Sequence, residues 1–250
     1  MIEKHLELST SEGAMNTFVV HPDEGGPHPV VFFYMDAPGK REELHDMARR
    51  LASVGYFVVL PNLYYRETPQ YELKDRSAEA MQEMFKLMAT LNQATTRVDT
   101  QAMLDFIAGE AAADADKVGA VGYCMSGPFV VWAATDFPGR FKSIASIYGA
   151  NLVTESPDSP HLMAPHIQCE AYFACAEIDK WAPPASVAQL EASLKAAQTP
   201  HRLEWYPKAE HGFAFPQRFC YDKPSAERHW SRLFALFKRT LQTAKKMPMG

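Results

Sequence analysis

The sequence predicts an α/β protein built on one mostly parallel sheet of eight strands, with helices on both faces. Three observations predict it. Short runs rich in Val, Ile, Phe and Tyr alternate along the 250 residues with longer stretches of helical periodicity. Several runs are continuously apolar, as in Pro29-Val30-Val31-Phe32-Phe33-Tyr34, the pattern of a strand covered on both faces by crossover helices. Breakers also punctuate the runs, Gly55 before one and Pro61-Asn62 after it.

Residues 5–9 and 15–20 alternate around Ser11-Glu12-Gly13 and read as an opening antiparallel hairpin. Residues 29–34 are the third strand, followed by the loop Met35-Asp36-Ala37-Pro38-Gly39. An amphipathic helix comes next, with Leu44, Met47, Ala48 and Leu51 on one face and Gly55 to end it. Residues 56–60 are the fourth strand. From Leu63 to about Gln93 the chain is less regular, with a loop at Tyr64-Tyr65-Arg66-Glu67-Thr68-Pro69 and a methionine-rich helix over 77–91. Met81, Met84 and Met88 have the spacing of a packing face. A helix over 98–107 leads into the apolar strand 117–121, and 129–135 is the helix beyond it. A strand at 143–148, a long loop at 149–165, a strand at 168–174, a helix at 185–197 and a strand at 202–206 follow. The closing helix, 226–243, has Trp230, Leu233, Phe234 and Phe237 as its apolar face. No repeat, low-complexity tract or linker interrupts the chain, so one domain over residues 1–250 is expected.

Composition narrows the function classes. With 47% hydrophobic and 22% charged residues the chain reads as an ordinary soluble globular protein. A formal net charge of −5 without a Lys/Arg cluster argues against a nucleic-acid partner. Met1-Ile2-Glu3-Lys4-His5 lacks the pattern of a signal peptide, and no apolar run reaches membrane-spanning length. The four cysteines (Cys124, Cys169, Cys175 and Cys220) form no CxxC pair and no dense framework. The expectations are a cytoplasmic protein, monomeric or homodimeric, with no membrane association, no metal and no cofactor.

Chemistry concentrates at Val121-Gly122-Tyr123-Cys124-Met125-Ser126-Gly127. A buried strand, a turn flanked by small residues and a helix are the setting of a nucleophile elbow, which holds one side chain exposed on a strained turn. Cys124 occupies the nucleophile position. A cysteine after a strand is ordinarily a small buried hydrophobe, and its partners decide otherwise. Asp179, before Lys180-Trp181-Ala182-Pro183, and His211, in Ala209-Glu210-His211-Gly212-Phe213, follow the seventh and eighth strands in the order nucleophile, acid, histidine. Glu177 and Glu210 are neighbouring acids read as solvated or secondary, and His166 and His201 as loop or strand-end residues. Ser126 is a poor alternative nucleophile because its own flanks would be Cys124 and Pro128. The Met125 amide and one from the loop after the third strand, best matched by Ala37, would stabilise an oxyanion.

With these pieces together, the chain resembles the dienelactone hydrolase (carboxymethylenebutenolidase) family of α/β-hydrolases. The matching segments are the elbow, Pro61-Asn62-Leu63-Tyr64-Tyr65-Arg66, the Asp179 loop and the His211-Gly212-Phe213 turn, from about the third strand to the last. The resemblance implies an α/β-hydrolase fold and a triad of Cys124, Asp179 and His211. It also implies cleavage of activated esters or enol lactones through an acyl-thioester. The family carries an acid after the third strand that contacts the resting thiol; Asp36 matches it, one methylene shorter than the glutamate of the best-known members. Two arginines that hold an anionic lactone in those members are matched here by Phe215 and Met81. A less polar pocket is therefore expected, lined by Tyr64, Met81, Trp181, Phe213 and Phe215, with Arg66, Arg76 or Arg218 as alternative cations. A thiolate leaves more readily than an alkoxide, which favours substrates with good leaving groups and disfavours a peptidase. A general carboxylesterase or thioesterase, or a non-catalytic scaffold that binds a ligand or senses oxidation through Cys124, are the competing readings.

Overall fold

The computed structural model describes residues 1–242, so the expected end of the closing helix at Thr243 lies outside the described residues. The strands are β1 (Ile2–Thr10), β2 (Gly13–His21), β3 (His28–Tyr34), β4 (Phe57–Pro61), β5 (Ala113–Tyr123), β6 (Phe141–Ile147), β7 (Glu170–Ile178) and β8 (His201–Glu210). They form one sheet in the order β1-β2-β4-β3-β5-β6-β7-β8. β1 pairs antiparallel with β2, and β2 antiparallel with β4; every pairing from β4 to β8 is parallel. The α/β-hydrolase architecture read from the sequence is thus present, with all eight strands.

The helices are α1 (Glu42–Ala52), α2 (Ala78–Met88), α3 (Gln93–Gly109), α4 (Gly127–Asp136), α5 (Pro184–Ala196) and α6 (Lys223–Leu241). α1 and α6 cover one face, where the Arg50 guanidinium lies over the Trp230 ring at 4.7 Å; α3 and α4 pack together on the other. The central strands β3, β4 and β5 bury continuous apolar runs, as a two-sided sheet requires.

Several element ends differ from the sequence reading, with β5 beginning at Ala113 and β7 ending at Ile178. α3 starts five residues early because Asn92 caps it in a box with Thr95, so polar residues fill its first turn without apolar periodicity. β8 runs on to Glu210 through Pro207 and Lys208, a non-glycine residue at φ 61°. Its register against β7 shifts between Ala176 and Ile178, and an edge strand tolerates proline at such an irregularity. The long loop before β7 contains a 3-10 helix at Pro160–His166.

Parallel order and right-handed crossovers bring the carboxyl ends of β3, β5, β6, β7 and β8 to one rim of the sheet. That rim carries the candidate site.

Candidate active site

β5 ends at Tyr123 and the chain turns at once into a 3-10 turn, Cys124–Ser126, and then α4. Cys124 sits at φ 56°, the left-handed region that costs a non-glycine residue energy. The turn leaves no room for larger flanks. A Cβ on Gly122 would be driven into the Ser126 carbonyl oxygen, and one on Gly127 into the backbone of Gly149. Ser126 is fully buried; its Oγ accepts the Tyr123 N–H at 2.9 Å and lies 3.0 Å from the Tyr34 carbonyl, to which it donates. It is a strut of the turn. Cys124 remains partly exposed, with its carbonyl held by the Ala150 N–H at 2.9 Å.

Asp179 directly follows β7 and His211 directly follows β8. The structure brings both to Cys124. His211 Nε2 is 3.0 Å from Cys124 Sγ, and His211 Nδ1 is 2.7 Å from Asp179 Oδ2. Asp179 Oδ1 accepts the Trp181 and Ala182 N–H groups at 2.8 and 3.3 Å, so the carboxylate is fixed on both sides. Glu177 turns away and accepts the Lys208 N–H at 2.6 Å, supporting the irregular end of β8. Burial alone would pull the His211 imidazole down, but the adjacent Cys124 sulfur and the Asp179 carboxylate outweigh it and push the ring up to about 9. The ring therefore holds its proton at neutral pH. Burial pushes the Cys169 and Cys175 thiols up to about 12 and moves Cys220 in the same direction, as inert packing cysteines behave.

The Ala37 and Met125 amides, the expected oxyanion donors, belong to the segments that follow β3 and β5. Among the described residues neither has a protein acceptor. The Tyr64 hydroxyl lies between their two residues, 2.9 Å from the Ala37 carbonyl oxygen and 3.2 Å from Met125 Sδ.

Asp36 is fully buried, but its oxygens are taken by arginines rather than by the thiol. Arg41 Nη1 and Nη2 approach at 2.6 and 3.3 Å, and Arg218 donates to Oδ2. Arg41 continues to Glu43 at 2.6 Å, and Glu43 accepts the Gln217 N–H at 2.8 Å. Of the alternative cations, Arg218 is the one drawn to the site. Arg66 pairs with Asp99 at 2.7 Å, and Arg76 stacks on Phe219 at 4.8 Å.

The expected pocket walls divide. Tyr64, Phe213 and Phe215 expose nothing, so their rings pack beneath the site instead of facing a ligand. Phe215 is packed by the Arg41 and Arg218 guanidinium groups at 5.2 and 4.7 Å from its centroid, which explains an aromatic there. Met81 is partly buried, whereas Trp181 is 44% exposed and faces Phe85 of α2 with ring centroids 6.3 Å apart. Sequence reasoning missed Tyr148, just after β6. It sits at φ 38°, its ring packs edge-on to His211 at 5.1 Å, and its hydroxyl is buried without a partner among the described residues. The Tyr148-Gly149 end of an apolar strand was the available signal. Arg41 and Glu43 carry no local signal, since only the folded chain pairs them with Asp36 and Gln217.

Residues 15–241 match the profile of the Dienelactone hydrolase family. The chain belongs to that family. Membership makes it an ester or lactone hydrolase. Similar proteins include one from Synechocystis sp. named "Putative carboxymethylenebutenolidase", 27% identical over 228 residues that cover 90% of this chain and 92% of the relative. A protein of the same name from Methylorubrum extorquens is 26% identical over 96% of this chain and 81% of its own. Among solved structures, a dienelactone hydrolase from Anabaena variabilis superposes with a TM-score of 0.68 at 18% identity, covering 96% of this chain and 98% of that one. The crystal structure of a "Putative Dienelactone Hydrolase" from Klebsiella pneumoniae superposes with a TM-score of 0.86 at 24% identity, covering 95% of this chain and 98% of that one. At these identities the superpositions speak for the fold.

Proposed function

We propose that this member of the family cleaves activated esters or enol lactones with Cys124 as nucleophile. Cys124 Sγ attacks the acyl carbon, and the carbonyl electron pair moves to an oxyanion held by the Met125 and Ala37 N–H groups. On collapse, the C–O bond breaks and the leaving alkoxide or enolate takes the proton from His211. A water molecule then gives a proton to His211 as it attacks the thioester, and the acid departs with the thiolate restored. Asp179 keeps the His211 ring in one tautomer and balances its charge. Because a thiolate competes with the leaving group in the tetrahedral adduct, good leaving groups are favoured and amides are not.

The observation that supports this reading is the unbroken contact from the Cys124 sulfur through His211 to Asp179, around a ring that holds its proton at neutral pH. The exposed Phe85 and Trp181 favour an apolar or aromatic flank on the substrate. Incubation with a p-nitrophenyl ester, acid quench and mass spectrometry tests the mechanism. The expected result is one acyl group on the Cys124 peptide and loss of turnover in Cys124→Ala. Full turnover in Cys124→Ala would sink it.

A further inference from the structure

Resting on that reading, we infer that Tyr64 is a positioning residue that sets the spacing of the two oxyanion donors. Its hydroxyl touches both residues whose amides form the proposed hole. The single phenolic proton goes to the Ala37 carbonyl oxygen at 2.9 Å, the stronger acceptor; Met125 Sδ at 3.2 Å is the weaker contact. The Ala37 residue is thereby clamped at both ends. The preceding carbonyl, Asp36 O, accepts the Gly39 N–H at 3.1 Å, and in a trans peptide this aims the Ala37 N–H to the opposite side, away from the turn. The following carbonyl is held by Tyr64.

The strut is itself braced. Asn62 Oδ1 accepts the Tyr64 N–H at 3.2 Å, while its Nδ2 donates to Thr68 O and Pro69 O at 3.1 and 3.0 Å. The Tyr64 carbonyl accepts two N–H groups, from Glu67 and Thr68, at 2.9 Å each. Tyr71 packs edge-on to the Tyr64 ring at 5.5 Å, and Leu73 N–H donates to Pro38 O at 2.9 Å. A Cβ on Gly39 would be driven into the Tyr71 carbonyl oxygen, so segment 62–73 lies hard against the oxyanion loop. A phenol has only two side-chain torsions, so with its backbone fixed it is a rigid spacer. The hole depends on donor placement to within a fraction of an ångström, which gives the spacer its leverage on rate.

Tyr64→Phe tests this. The expected result is a kcat for p-nitrophenyl acetate lower by about 10- to 100-fold with KM within about twofold. Affinity for a peptide-free aliphatic aldehyde, whose hemithioacetal oxygen needs the same hole, should fall in parallel. The rate of Cys124 alkylation by iodoacetamide, which needs the nucleophile but no oxyanion donors, should stay unchanged. Unchanged kcat, or an equal fall in alkylation, would overturn the role of Tyr64. Met125→Leu removes the sulfur contact while keeping the side-chain volume, and should lower kcat by a smaller factor. It decides the matter if Tyr64→Phe does not fold, since wild-type kcat in Met125→Leu would then overturn the strut. A failure of the cysteine mechanism itself is distinguishable, because it appears as activity in Cys124→Ala whatever happens at Tyr64.

Discussion

At the scale of single residues, His211 is the most consequential titratable group. Burial opposes its charge, and the Cys124 sulfur and Asp179 carboxylate overcome burial, so the ring keeps its proton up to about 9 instead of the ordinary value near 6.5. In the proposed mechanism the leaving group takes that proton. kcat/KM should therefore be supported below about pH 9 and fall as pH rises through it. In Asp179→Asn one of the two raising influences is gone, so the alkaline limb should move to lower pH and kcat should drop as well. A pH profile of both proteins checks this; an unmoved limb would remove Asp179 from its assigned role. Cys124, Asp179 and His211 were legible in the sequence because they fall in the order nucleophile, acid, histidine beyond the fifth, seventh and eighth strands, and a parallel sheet brings such positions to one rim. Tyr64 was read from the sequence as a pocket wall, and the structure buries it instead. An aromatic in a loop reads as a pocket wall until the fold shows its hydroxyl directed at Ala37 and Met125 and its ring covered.

At the scale of elements, the edge of the sheet shows how charge can replace a missing neighbour. Glu204 on β8 accepts from Arg232 of α6 at 2.8 Å and from the Tyr172 hydroxyl of β7 at 2.9 Å, and pairs with Arg202 and Arg228. Burial raises its carboxyl, but these donors outweigh it and hold the group down at about 2. A carboxylate depressed in the folded state contributes stability that is present above its unfolded value, near 4.5, and lost as pH falls through about 2. Glu204→Gln should thus lower Tm at neutral pH, with the gap from wild type closing between pH 4.5 and 2. A gap independent of pH would show that shape, not charge, matters there. Most strand and helix positions were readable from apolar periodicity, of which β8 and the 3-10 helix at Pro160–His166 carry little. The ends of α3 and β8 were not, because a capping box and a proline-containing irregularity obey local rules that periodicity does not contain.

For the molecule as a whole, the site is assembled from five strand ends, and the cluster around Asp36 joins two of the loops that leave them. Arg41 and Arg218 meet on one buried carboxylate, so the loop bearing Ala37 and the segment beyond His211 are fastened to each other. Removing one partner from such a cluster leaves buried charge uncompensated. Asp36→Asn should cost about 3 kcal/mol in urea unfolding at neutral pH. A loss below about 1 kcal/mol would mean that water replaces the carboxylate without difficulty. The pairing of Asp36 with Arg218 is beyond the reach of pattern reading, because 182 positions separate the partners, although the sequence singles out each of them for another reason.

The close approach of Gly122 to the Ser126 carbonyl, and of Gly127 to Gly149, has a consequence for how such a protein can change. The flanks of Cys124 are closed to variation, because any added carbon there collides with main chain that cannot retreat. By contrast Phe85 and Trp181, whose rings meet beside the Asp179 loop, are exposed, and Met81 is only partly buried. Laboratory selection for a new substrate should therefore find its gains at the rim and discard changes at positions 122 and 127, so that the diet of the enzyme drifts while its turn stays the same.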